Sequence, residues 1–204
     1  VLEYDVKHSG AHALDYLTTF NRTETDADPC SGVSPCDLNN PTEEFPIPAP
    51  SSVGSPIPGQ PTTSFNALPP DEKEMTAWNA DITSLVYGAE GDLNAAQSAT
   101  SIEITFNATD PTVVFAWSGH IGSRLDWGAG NSAGGISGSP YHMRFIELNG
   151  KGGNQDRSLS ASAITSPSTI TIHKVSGEDV TDFTFTTTGT EYNNFSLKGS
   201  GVNS

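Results

Sequence analysis

The chain has 204 residues, with 24 acidic side chains against 9 basic ones and a formal net charge of -15. That balance excludes a nucleic-acid binder, which needs a basic patch to displace counterions, and a protein docked on an anionic membrane surface. No apolar run approaches the roughly 20 residues of a membrane-spanning helix, so no membrane span is expected.

Abundant Thr, Ser, Gly, Asn and Pro and scarce Lys, Glu and Leu disfavour helix and favour turns. Taken in chain order, residues 1–20 read as extended, because Leu2, Tyr4 and Val6 alternate with Glu3, Asp5 and Lys7. Residues 21–75 hold a cysteine loop and then a proline-rich stretch, whose nine prolines between Pro41 and Pro70 rule out a central strand. That stretch is an extended arm or linker, and so long a connection implies a task. Asn79 to Gly88 suits a strand, and Glu90 to Ser98 is the best helix candidate. Ile102, Ile104 and Phe106 alternate with polar residues as in a half-buried strand. Thr112 to Trp117 is a nearly continuous apolar run and predicts a central strand. Gly119 to Pro140 reads as loop and Tyr141 to Leu148 as strand. Three more short strands are marked by Ile170 and Ile172, by Phe183 and Phe185, and by Phe195 and Leu197. The fold class expected is all-β, an antiparallel β-sandwich of jelly-roll or Ig-like type, with extended N-terminal and proline-rich arms. Its main body spans 76–165. Residues 166–204 supply strands that complete the same sheet or pass to a neighbour.

Cys30 and Cys36 flank Gly32 and Pro35, which can turn the loop until the two Cα atoms reach disulfide distance. The alternative is a metal site, for which two thiols without a nearby partner are a poor set. A local disulfide implies an oxidising compartment and points to an extracellular or cell-surface location.

The densest chemistry lies in Trp117 to Asn131, with His120, Arg124, Asp126, Trp127 and Asn131 as a candidate ligand loop. A hydrolase triad is not expected, because no Ser sits in a nucleophile elbow, and no catalytic residue is assigned. Calcium is a possible cofactor, since it takes oxygens from flexible loops. The candidate ligands are Asp26, Asp28 and Asp37 around the cysteine loop and Glu147, Asn149, Asn154 and Asp156 further on. The other reading of these residues is plain turn chemistry. Asn21, Asn107 and Asn194 each begin an Asn-x-Ser/Thr glycosylation pattern.

Two stretches, Gly138-Ser-Pro-Tyr-His-Met-Arg144 and Gly152-Gly-Asn-Gln-Asp-Arg-Ser-Leu-Ser160, resemble a segment of very large secreted bacterial surface proteins. In those proteins it leads into a prealbumin-like, Cna-B-type β-domain. Thr169-Ile-Thr-Ile-His-Lys174, Asp182 to Thr186 and Asn194 to Leu197 are similar to that domain's opening strands. The resemblance runs from about Thr76 to the C-terminus and implies an architecture without a catalytic residue. It also sets Lys174 loosely at the position of an isopeptide lysine.

Two functional expectations follow. The first is a structural subunit of an extracellular filament, sheath or surface array. It assembles with copies of itself by β-strand exchange, with Leu2, Tyr4 and Val6 or Ile170 and Ile172 donated. The second is an adhesin or lectin-like module that binds surface glycans through the 119–140 loop, with Trp127 as a stacking face.

Overall fold

The computed structural model describes residues 1–23, 26, 28–128, 130–137, 141–152 and 155–158 of one unit, Val1–Ser166. Of a second unit, Pro167–Ser204, it describes residues 172–173, 183–186, 195–197 and 202–203.

The first unit is built from antiparallel strands: β1 (Leu2–His8), β2 (Ala11–His12), β3 (Leu14–Thr18), β4 (Glu43–Pro46), β5 (Glu74–Trp78), β6 (Ala80–Ala89), β7 (Ser98–Ala108), β8 (Val114–Ala116), β9 (Ser118–Ile121), β10 (His142–Phe145) and β11 (Gln155–Ser158). Two short α-helices interrupt them, α1 (Thr62–Ala67) and α2 (Arg124–Trp127). The largest sheet has the order β11-β10-β1-β7-β6, with β2 folded back on β1. Two smaller sheets, β4-β5-β8 and β3-β9, complete the unit. Leu2, Tyr4, Leu14, Tyr16, Met75 and Ile102 belong to one buried cluster that joins all three sheets.

The period of two along β1 does what it predicts locally, and the tertiary consequence differs from an arm. Leu2, Tyr4 and Val6 point into the core, with Tyr4 at 0% exposure. Leu2 and Val6 each stabilise the fold by about 1.5–3 kcal/mol through burial alone. β1 pairs with β10 on one side and β7 on the other, with Tyr4 opposite Met143 and Thr100. On its other face, Arg144 of β10 reaches Glu3 at 3.0 Å and Asp5 at 2.7 Å. The hydrogen bond and charge of Asp5 hold the guanidinium above its ordinary pKa. Leu2, Tyr4 and Val6 therefore form the central strand of this chain's own sheet, and both hydrogen-bonding edges of that strand are filled.

The proline-rich stretch also packs on its own unit. Ile47, Pro50, Pro61 and Phe65 are buried along it, and the Phe65 ring meets Tyr16 edge-on at 5.2 Å. It is a strap, with a short strand in β4 and a short helix in α1.

Two local expectations are corrected. Glu90 to Ser98 is a turn: Asp92 Oδ1 accepts the Asn94 N–H at 2.8 Å, and the Ser98 hydroxyl donates to the Asp92 carbonyl at 2.7 Å. Asp and Asn bond to nearby backbone in this way more readily than they extend a helix. The Thr112 to Trp117 run yields only β8, which lies at the edge of its sheet and pairs with β5 alone.

Cys30 and Cys36 are disulfide-bonded, with Cα atoms 5.2 Å apart. Their loop packs with Phe20, Trp78 and Ala116, and the Trp78 indole donates to the Asp37 carbonyl at 2.7 Å. In the second unit, β12 (Ile172–His173) pairs with β15 (Val202–Asn203), and β13 (Phe183–Phe185) with β14 (Phe195–Leu197). Ile170, Lys174 and Asn194 lie outside the described residues, as does the side chain of Ile172.

Candidate functional site

Strand β3 carries an acid inside an apolar run. Leu14, Asp15, Tyr16 and Leu17 are all buried, so both faces of the strand are covered and Asp15 cannot reach water. Its pairing with β9 is irregular between Leu14 and Tyr16, and such an irregularity re-aims the residue at it. The Asp15 carboxylate meets two donors. Trp127 Nε1 donates to Oδ1 at 2.8 Å, and His120 Nδ1 lies 3.0 Å from Oδ2.

The loop after β9 is coded locally. Ser123 caps α2 by accepting the Asp126 N–H at 3.1 Å, and its hydroxyl donates to Asp126 Oδ2 at 2.6 Å. A Ser N-cap of this kind sets a helix start. Gly128, with φ of 78°, ends the helix after a single turn. The turn delivers Trp127 inward at 0% exposure and leaves Asp126 beside His120, with His120 Nε2 3.7 Å from Asp126 Oδ2. Gly122 permits the approach, since a Cβ there would lie 2.8 Å from the His12 carbonyl oxygen.

Each group is held from behind. Tyr16 stacks on the His120 ring at 4.6 Å. Gln60, from the strap, donates to Asp126 Oδ1 at 3.2 Å. Burial alone would lower the His120 pKa, but the hydrogen bond and charge of Asp15, with Asp126, carry it above the ordinary imidazole value. Burial pushes Asp15 up, against the hydrogen bonds from His120 and Trp127. His12 stacks on Trp127, with ring centroids 3.3 Å apart. Neither of its ring nitrogens has a hydrogen-bond partner among the described residues. Burial, then the Lys7 charge, lowers its pKa to about 3.

His120 opens onto a cavity of about 760 Å³ lined also by Thr19, Glu44, Glu72, Glu74 and Arg124. Its wall carries Glu44, Asp71, Glu72 and Glu74 and several hydroxyl side chains, set among apolar surface. Arg22 pairs with Glu44 there, and burial followed by the Glu44 charge raises the Glu74 carboxyl.

The expected ligand loop is thus brought together in part. His120 and Arg124 line the cavity, and Asp126 sits against His120. Trp127 is corrected: fully buried, it offers no stacking face and acts as a donor to Asp15. The Asn131 amide donates to the Trp127 carbonyl at 3.3 Å. Three of the expected calcium ligands, Asp28, Asp37 and Asp156, have other partners. Asp28 Oδ1 and Asp37 Oδ1 each accept a backbone N–H two residues on, Asn149 takes a positive-φ turn position, and Asp156 bonds to His142 at 2.9 Å. Asp26 is exposed, Glu147 is half-buried, and Asn154 lies outside the described residues. Asn21 and Asn107 are exposed, and the Asn21 side chain accepts from Thr23. Asp15, Gln60, Ser123 and Tyr16 were not legible as site residues, although an acid within the run Leu14 to Leu17 was a usable signal.

Comparison with known protein families, with curated proteins and with solved structures yields no match to this chain.

Proposed function

We propose that the chain is an extracellular binding module of the adhesin or lectin-like class, whose ligand enters the acidic cavity beside His120. The supporting observation is the cavity wall. Thr19, Glu44, Glu74, His120 and Arg124 offer hydroxyl, carboxylate and cationic groups around about 760 Å³. Carboxylates that accept and hydroxyls that both donate and accept suit the hydroxyl array of a saccharide. The disulfide supports an oxidising compartment, and no helix among the described residues is long and apolar enough to cross a membrane. The resemblance to segments of secreted bacterial surface proteins points the same way. The test is a glycan array followed by calorimetry on a hit. Saturable binding lost in Glu74→Gln and retained in an Asn107→Gln control supports the reading. Absence of any saturable glycan overturns it.

The structural-subunit reading rests on a different edge from the one the sequence suggests. Among the described residues β11 is a sheet edge with all four residues exposed, and Phe145 and Leu148 near it are exposed apolar side chains. At the opposite edge β6 carries two register shifts, a device that blunts edge pairing. Filaments under the electron microscope that vanish on placing a proline at Arg157 would favour assembly through β11. Compact single particles at high concentration would remove it.

A further inference from the structure

We propose that His120 and Asp126 form a binding site for a divalent transition-metal ion of the zinc type, with Asp15 as the group that orients His120. The donor atoms of Asp15, His120 and Asp126 all lie within 4.8 Å of one another. Zinc holds nitrogen and oxygen ligands at about 2.0–2.2 Å, so two ligands at a tetrahedral angle stand about 3.4 Å apart. His120 Nε2 and Asp126 Oδ2 are 3.7 Å apart, close to that separation before any adjustment.

The roles divide by atom. His120 Nδ1 faces the Asp15 carboxylate, which leaves Nε2 as the nitrogen that can take a metal. A metal-binding histidine characteristically gives its other ring nitrogen to a carboxylate in this way, which fixes the tautomer and raises ligand basicity. Asp15 is anchored in turn by Trp127 Nε1. Asp126 is steadied by Ser123 and Gln60. Both ligands are therefore held before an ion arrives, and little ordering remains to be done on binding. A separate observation concerns Ser132. At 1% exposure it lines the same cavity, and its hydroxyl has no hydrogen-bond partner among the described residues.

The donor set also selects the ion. Calcium takes six to eight oxygens and has little use for an imidazole, whereas imidazole suits zinc, copper, iron and nickel. Two ligands from the chain leave positions open, and because His120 lines the cavity, water or an oxygen of a bound ligand can complete the shell. The site adjoins the cavity of the binding module through His120 and does not depend on the ligand being a saccharide.

The experiment is calorimetric titration of the chelator-treated full chain with zinc and, separately, with calcium. One zinc per chain is expected, with calcium at least tenfold weaker. His120→Ala and Asp126→Asn each lose tenfold or more in zinc affinity, and Asp15→Asn loses about 10–100-fold as an orienting group. His142→Gln, at the other His–Asp pair, keeps wild-type affinity. Circular dichroism confirms that each variant is folded, and a tetrahedral cobalt spectrum in the wild type, absent in His120→Ala, provides a second readout. Zinc binding unchanged in His120→Ala, equal affinity for calcium, or no saturable binding in the folded wild type overturns the proposal. The titration contains no glycan, so its failure and the failure of the saccharide reading are separate outcomes.

Discussion

Trp127 links two histidines that the fold treats in opposite ways. On the His12 side, the ring is fully buried against the indole face, with no hydrogen-bond partner among the described residues, and its pKa is lowered to about 3. On the His120 side, reached through the Trp127 to Asp15 hydrogen bond, the ring is partly open to the cavity and bonded to Asp15, and its pKa is raised. Desolvation acts downward on both rings, and the adjacent carboxylate reverses the outcome in one of them. Within one small region the fold thus keeps one imidazole neutral and another ready to carry charge or a metal.

Trp127 joins the two sides, so its removal should have the largest effect. Trp127→Ala is expected to cost about 3–5 kcal/mol, as for other buried large aromatics, read by urea denaturation. The His12 side comes next. As pH falls below 6.5 the unfolded chain protonates His12 while the folded chain resists until about 3, so stability is lost with acid. At pH 4.5 His12→Phe should be more stable than wild type by about 2–3 kcal/mol, with little difference at pH 7.5. A denaturation series across that range checks the sign, and parallel curves for the two proteins would remove the assignment.

The His120 side runs the other way. A raised folded pKa stabilises the fold below the unfolded imidazole value, and that contribution disappears as pH rises through the folded pKa. Asp15→Asn should lower the His120 pKa in an NMR titration and cost about 1–3 kcal/mol at mildly acidic pH, because a buried charge-assisted hydrogen bond is weakened. An unmoved His120 titration would place the cause elsewhere. The smallest effect belongs to the strap: Gln60→Ala removes the hydrogen bond to Asp126 and two accepted from the part-exposed Ser64 and should cost about 1–2 kcal/mol in all. Since Asp126 is a proposed ligand, zinc affinity is expected to weaken with it.

Legibility in the sequence followed the range of the interaction. Alternation in Leu2 to Val6 and Ile102 to Phe106 marked β1 and β7, because side chains in a strand point to opposite faces in turn. The spacing of Cys30 and Cys36 sufficed for a bond across a short loop, and the polar group in Trp117 to Asn131 was visible as a cluster. Glu90 to Ser98 is not a helix because Asp92 accepts the Asn94 backbone N–H, a competition that residue counts do not weigh.

Strand patterning, the disulfide and the acidic character were thus determined by residues close together along the chain. Only the tertiary structure decided that β1 is a central strand, that the proline-rich stretch is a strap, and that Asp15 meets His120. The Asp15–His120 contact spans 105 positions and the Gln60–Asp126 contact spans 66. A two-residue period says which face of a strand is apolar and does not say which strand will lie beside it. That choice depends on burying every apolar face at once and finding partners for each buried polar group, a condition on the whole unit that no short stretch contains.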